Sequence, residues 1–227
     1  YITGKKSAWA NSRTGAETLL SDLGVGYRAV SYEQLAAGHL EKVNARVLVL
    51  PHSLAMSDAE CDGVRNFIKA GGVVIADVDP AILTGHCRTR EAAGLDDVRG
   101  NNRFLHLGGP VFEEYQTLRA KILDDVSRKR FLEIQDTMVA HLARAGVKPP
   151  FEIRHAQGGP GPVGERAPWM WSAVKDRGKV RYVTLIRDYT VVGETVGDQP
   201  VNVSFDRESC LYDVLDGVFL GRSAQLD

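Results

Sequence analysis

Apolar residues near the start of the chain recur at the spacing of one helix face over residues 9–23, so a helix is predicted there. Two later runs, residues 46–50 and 73–76, are almost wholly apolar and rich in β-branched side chains. Such runs are typical of strands that are buried on both faces of a sheet. Shorter strands are predicted at residues 27–30 and, as a stub, at residues 1–4.

A capping-box pattern lies between the two buried runs. Ser57 stands three residues before Glu60, which is the spacing that satisfies free N–H groups at the start of a helix. Gly71 and Gly72 mark where this helix is expected to end. Strand, helix and strand at this pitch are typical of βαβ units. The pattern therefore predicts an α/β fold, a doubly wound parallel sheet with helices on both faces.

A second helical pattern covers residues 112–145, after a loop-rich stretch at residues 81–110. A single helix of that length would measure about 50 Å at its rise of about 1.5 Å per residue. Charged residues crowd between residues 124 and 129, so two helices, or a break at that point, are expected. Two apolar stripes run along the stretch, and they could pack either on the sheet or on another subunit.

The apolar pattern changes after residues 157–168, which contain four glycines and three prolines and are predicted to form a linker. From there the period is the alternating one of strands, and turn residues at 216–217 predict a hairpin. The expected organisation is an α/β domain at residues 1–156 with a helical extension at 111–146, the linker, and a small antiparallel β domain at 169–227.

Composition narrows the classes of partner. The 28 Lys and Arg residues and the 29 Asp and Glu residues leave a net charge of −1, which gives no electrostatic reason to expect nucleic acid or an anionic membrane as partner. No apolar run approaches the roughly 20 residues that would span a bilayer. Cys61, Cys87 and Cys210 are widely spaced without a CxxC pair, so neither a disulfide framework nor a zinc site is predicted. A reducing, cytoplasmic setting is the default expectation, and no metal or cofactor is expected.

Four stretches of the first hundred residues carry a family resemblance. They are Ser7–Trp9, Val47–Pro51 with Met56–Glu60, Phe67–Asp77, and Gly94–Val98 with Gly100. On these stretches the segment resembles the β-galactosidase trimerisation domain of glycoside hydrolase family 42, which has the class I glutamine-amidotransferase-like, or flavodoxin-like, fold. The tail resembles the small β domain that follows in such proteins, at Val180–Val183 and Leu211–Gly221.

The resemblance implies a role in assembly. In those galactosidases the catalytic carboxylates lie in a (β/α)₈ barrel that precedes the domain, and no barrel is encoded in these 227 residues. The chain, which begins with Tyr1, is therefore expected to be a piece or stand-alone relative of a longer protein. A homo-oligomer is the expected state, since assembly is what the resembled domain provides.

A working class I amidotransferase needs a cysteine thiolate on the sharp turn after a central strand. Here the turn after residues 73–76 reads Asp77-Val78-Asp79-Pro80 and has no cysteine. Cys61 falls within a predicted helix, and Cys87 falls in a downstream loop. No activity is therefore expected from this chain by itself, and the predicted role is structural.

Polar residues at the predicted strand ends offer an alternative chemistry. His52 follows one strand, Asp77 and Asp79 follow the next, and His86 lies in the loop beyond. The carboxyl ends of parallel strands are where open α/β sheets bind ligands, so these groups could hold a divalent metal or act as acid and base in a small hydrolase. The competing interpretation is that the carboxylates cap turns and helix starts, with His52 merely beginning a loop.

Trp169 and Trp171 offer a third hypothesis. Residues two apart in a strand point to the same face, so the two rings could stack on a carbohydrate ligand. Large aromatic side chains are mostly buried in folded proteins, so a core or interface position is the favoured interpretation of this pair.

Overall fold

The computed structural model describes residues 7–119, 121, 124–158, 162–167, 170–187 and 200–226, with the side chains of residues 171 and 176 left aside. The helices are α1 (Ala8–Asp22), α2 (Tyr32–Ala36), α3 (His39–Lys42), α4 (Asp58–Lys69), α5 (Val111–Arg119) and α6 (Asp125–Arg144). The strands are β1 (Val47–Leu50), β2 (Val73–Ala76), β3 (Phe104–His106), β4 (Phe151–His155), β5 (Met170–Arg177), β6 (Val180–Arg187), β7 (Val201–Asp213) and β8 (Val218–Leu226). A short 3₁₀ turn covers Asp96–Val98.

The first half of the chain is built on a parallel sheet in the order β1-β2-β3. Val47 aligns with Val73 between the first two strands, and Val74 aligns with Phe104 between the second and third. Every residue of β2 is buried, as expected for a strand with a neighbour on each side and a helix layer on each face. The α/β fold with a parallel sheet is therefore confirmed.

Helices cover both faces of this sheet, because alternate side chains of each strand point to opposite sides. Val73 and Ile75 of β2 pack with α1, α5 and α6 in one buried cluster. Val74 and Ala76 pack with α2, α3 and α4 in the other. The sheet thus lies between two separate hydrophobic layers.

The predicted helical stretch at 112–145 is two helices, α5 and α6, with Asp124 capping the second through the N–H of Ser127. Both apolar stripes are buried against α1 and the sheet. The ring of Tyr115 stacks on that of Phe131 with centroids 4.2 Å apart. The hydroxyl of Tyr115 donates a 2.7 Å hydrogen bond to Asp22 on α1. The described residues of the two stripes therefore pack inside the chain.

The second half contains two small antiparallel sheets, in the orders β4-β7-β8 and β5-β6. Phe151 and Val203 lie in a third buried cluster, against which side chains from β5 and β6 pack. This part contacts the end of α1, where the hydroxyl of Ser172 in β5 donates a 2.9 Å hydrogen bond to the carbonyl of Ser21. A Cβ on Gly24, two residues after the helix, would lie 2.8 Å from the ring of Phe151, so a side chain larger than hydrogen would not fit there. The small antiparallel β part is thus confirmed.

The strand predicted at residues 27–30 is wrong: these residues pair with no strand of the described ranges and residues 27–29 are exposed, so the segment lacks the burial that a strand of a helix-covered sheet has. The sequence pattern does not predict β3 and β4. Because β4 pairs with β7, residues before the predicted boundary at 156 belong to the second sheet; the boundaries themselves stay predictions. The strand stub at residues 1–4 lies outside the described residues.

None of the helices in the described ranges has the length and apolar character needed to cross a membrane.

Candidate functional site

The bend after β2 is built around the carboxylate of Asp77, which is fully buried. Its Oδ2 accepts a 2.5 Å hydrogen bond from the hydroxyl of Ser12, a buried residue of α1. Its Oδ1 accepts the backbone N–H groups of His52, at 2.7 Å, and of Val78, at 2.9 Å. The carboxylate therefore joins the first helix, the end of β1 and the bend after β2.

The local sequence explains why the donors converge on this carboxylate. Parallel strands end at the same edge of a sheet, so the residues after β1 lie beside the residues after β2. His52 has a positive φ of 47°, and its N–H reaches Asp77 from this turn. The backbone carbonyl of Asp77 accepts the N–H of Gly109, 2.9 Å away, from the segment after β3. The segments after β1 and β3 are therefore both hydrogen-bonded to Asp77, which follows β2.

Asp79 belongs to a separate and more open group of charges. Its Oδ1 lies 2.6 Å from Nη2 of Arg99 and 3.2 Å from Nε2 of His106. The neighbouring cavity is lined partly by Asp79, Pro80 and Arg99 and has a volume of about 10 Å³. That is close to the space that one water molecule needs. A substrate larger than a water molecule would not fit in this cavity with the side chains in these positions.

The sequence-predicted site residues are only partly brought together. His52 meets Asp77 through its backbone N–H rather than its ring. Its ring Nδ1 is buried and has no hydrogen-bond partner among the described residues. His86 lies on an exposed turn, where the N–H of Cys87 bonds back to the carbonyl of Thr84. Asp77 is thus buried and bonded to the backbone of His52, Asp79 lies in a surface ion pair, and His86 lies on an exposed turn.

His106 is the strand-end residue that the sequence reasoning missed. It ends β3, and that strand is only three residues long within a stretch that carries many turn residues. The available sequence signal is the short apolar pair Phe104 and Leu105 just before His106. Recognising that pair as a strand would have placed His106 at a third strand end.

Neither nearby cysteine lies on the bend. Cys61 is buried within α4, and burial raises the pKa of its thiol, which makes a thiolate harder to form there. Cys87 is exposed on the turn that follows Thr84. The bend at residues 77–80 contains no cysteine and carries the buried carboxylate of Asp77.

Within the ranges that the structure describes, no three His, Cys, Asp or Glu side chains are grouped as a set that could hold a metal ion. Trp169 lies outside the described residues. Trp171 lies in β5, but the description there covers its backbone alone. The carbohydrate-stacking hypothesis therefore stays a prediction.

Fold and site together define a class: an α/β domain with a helix-covered parallel sheet and a small antiparallel β part, whose central bend has a buried structural carboxylate. The sequence matches no known protein family and no curated protein. One similar solved structure is an apo exo-carrageenase of glycoside hydrolase family 42 from Bacteroides ovatus, with a TM-score of 0.50 and 12% identity. The likeness covers 93% of this chain and 24% of that one. At this identity the likeness shows a shared fold alone. The fold is shared with part of a glycoside hydrolase of family 42, the family whose domain the sequence resembles.

Proposed function

We propose that this chain is a non-catalytic, amidotransferase-like domain of a glycoside-hydrolase-related protein and that it acts in self-association. The observation that carries the proposal is the bonding of Asp77. Both oxygens of this buried carboxylate accept short hydrogen bonds from within the fold, so it is held as a structural joint rather than directed at a substrate.

Three further observations support a structural role. The thiol of Cys61 is buried in a helix, and that of Cys87 is exposed on a separate turn that follows Thr84. The cavity beside Asp79 has room for about one water molecule. The fold is shared with about a quarter of a family 42 glycoside hydrolase chain, which leaves the greater part of that protein outside the likeness.

Light scattering coupled to size-exclusion chromatography tests the self-association. The full chain is loaded over a series of concentrations, from low micromolar to the limit of solubility. A particle mass of two or more chains, rising with concentration toward a plateau, is the expected result. A mass of one chain at every concentration would overturn the proposal.

A further inference from the structure

A narrow cavity lies where the first half of the chain meets the second. Its volume is about 20 Å³, and its walls come from the end of α1, the middle of α6, the start of β4 and residues 166–167. The polar side chains of the lining belong to Asp22, Gln135, Glu152 and Arg166. None of the described residues that line it comes from the bend after β2, so the cavity is distinct from the site considered above.

Gln135 brings a buried acceptor to this cavity. The residue is 2% exposed, and its Nε2 donates a 2.9 Å hydrogen bond to the hydroxyl oxygen of Tyr115. The amide oxygen, Oε1, is buried and has no hydrogen-bond partner among the described residues. Buried polar atoms are nearly always hydrogen-bonded, to the protein or to ordered water. The Oε1 atom therefore indicates a donor that occupies the cavity.

The hydrogen bonds of Tyr115 fix the orientation of the Gln135 amide. The hydroxyl of Tyr115 has one proton, which it donates to Asp22 over 2.7 Å. Burial, and then the charge of Asp22, raises the pKa of Tyr115 well above its usual range, so the proton stays on this hydroxyl. The hydroxyl can then only accept from Gln135, which requires the NH₂ group on that side. The Oε1 atom is therefore on the side of the amide away from Tyr115.

The charges around the cavity balance. Three carboxylates and three guanidinium groups pair there: Asp22 with Arg119, and Glu152 and Asp136 with Arg154 and Arg166. A bound cation would need an excess of carboxylate charge, and the described side chains supply none. The charge balance therefore favours a neutral ligand that donates hydrogen bonds.

The size of the cavity favours water among the neutral donors. One water molecule needs roughly 10–15 Å³ of such space and two to four polar partners. The cavity has this volume. The amide oxygen of Gln135 is one partner, and the carboxylate of Asp22, whose side chain is 2% exposed, is a second in the same lining. A larger neutral molecule lacks room.

We propose that this cavity binds one ordered water molecule, which donates hydrogen bonds to Oε1 of Gln135 and to the carboxylate of Asp22. Asp22 ends α1, Gln135 lies in α6, and the remaining wall includes β4. The water is thus a fixed part of the contact between the α/β part and the β part. The site is independent of the proposed self-association.

A high-resolution crystal structure of the full chain, with crystals grown in rubidium chloride, tests the proposal. We expect one water peak in the cavity at about 2.7–3.0 Å from Oε1 of Gln135. Anomalous scattering by rubidium at that peak would show a cation site and overturn the proposal. A cavity without density, or one filled by a neighbouring side chain, would overturn it equally.

Nuclear magnetic resonance tests the same site in solution. The side-chain NH₂ of Gln135 should show a nuclear Overhauser effect to water in the unchanged chain. The effect should also be present in a control, Gln116→Met, which removes a glutamine amide from α5 outside the lining.

Ala167→Val, which adds two methyl groups to the lining, should displace the water and abolish the effect while the bond from Gln135 to Tyr115 stays in place. An effect that persists in a folded Ala167→Val chain would originate from exchange of the Tyr115 hydroxyl proton and would contradict the proposal. An absent effect in the unchanged chain would contradict it as well. If Ala167→Val does not fold, the crystallographic result decides.

Discussion

Replacing Asp77 by alanine should remove the structural joint at the strand ends. The carboxylate accepts hydrogen bonds from the hydroxyl of Ser12 and from the backbone N–H groups of His52 and Val78. With alanine in its place, three donors lose their acceptor. Ser12 is fully buried and has no access to water. His52 and Val78 are half-buried, and their N–H groups could be solvated only in part.

The expected magnitude follows from the number of donors. A buried donor left without a partner costs about 1–3 kcal/mol, so the Asp77→Ala variant should lose about 3–5 kcal/mol of its free energy of unfolding. That is a large part of the about 5–15 kcal/mol that a typical domain possesses. Asp77→Asn keeps an oxygen for the two backbone groups and loses the charge, so about 1–2 kcal/mol is expected for it.

Urea denaturation followed by circular dichroism measures these differences. The control is Asp79→Ala, because Asp79 lies on the same bend but its side chain is 43% exposed and its contacts with Arg99 and His106 are open to solvent. Less than about 1 kcal/mol is expected for the control. Equal losses for Asp77→Ala and Asp79→Ala would refute the structural role given to Asp77.

Three further predictions concern packing, pH and thiol chemistry. Gly15→Ala should destabilise the protein by about 2 kcal/mol or more, because the new Cβ would overlap the carbonyl oxygen of Phe112. Burial, with a smaller effect of Arg128, lowers the pKa of His155 to about 4. An unfolded histidine titrates near pH 6.5, so the unfolded chain takes up this proton first and stability should fall by about 2–3 kcal/mol between about pH 7 and pH 4. The thiol of Cys61, which is buried and has a raised pKa, should react with a thiol reagent only as fast as the protein unfolds.

Each of these has an internal control. Gly26→Ala meets no neighbouring atom and should change stability by less than about 1 kcal/mol. A His155→Leu variant should show a shallower loss of stability in that window, and an unchanged slope would contradict the assignment to His155. The exposed Cys87 should react at once in the folded protein, and an equally fast Cys61 would show that α4 opens readily.

The elements predicted well are those whose local signals agree. Ser57 and Glu60 form the expected reciprocal cap at the start of α4. The run at residues 73–76 is the buried central strand, because four consecutive apolar residues suit a position between two helix layers. The break before α6 follows from the capping residue Asp124.

The rest depends on contacts that sequence spacing does not reveal. The strand β3 has three residues, too few to show a period, so the pattern does not place His106 at the strand ends. The apolar stripes of α5 and α6 leave open whether a sheet or a subunit covers them, and tertiary packing decides it. Asp77 is recognisable from the sequence as a strand-end residue, but its role depends on Ser12, which lies 65 positions earlier in the chain.

The most direct test of the central claim, that the bend after β2 is a structural joint and not a reactive centre, is turnover of glutamine. Ammonia release is measured with the full chain, together with covalent labelling by an electrophilic glutamine analogue read out by mass spectrometry. We predict no release above the blank and no labelling beyond that of the exposed thiols with a simple alkylating reagent. Saturable ammonia release that disappears in a Cys87→Ser or an Asp77→Asn variant would contradict the claim.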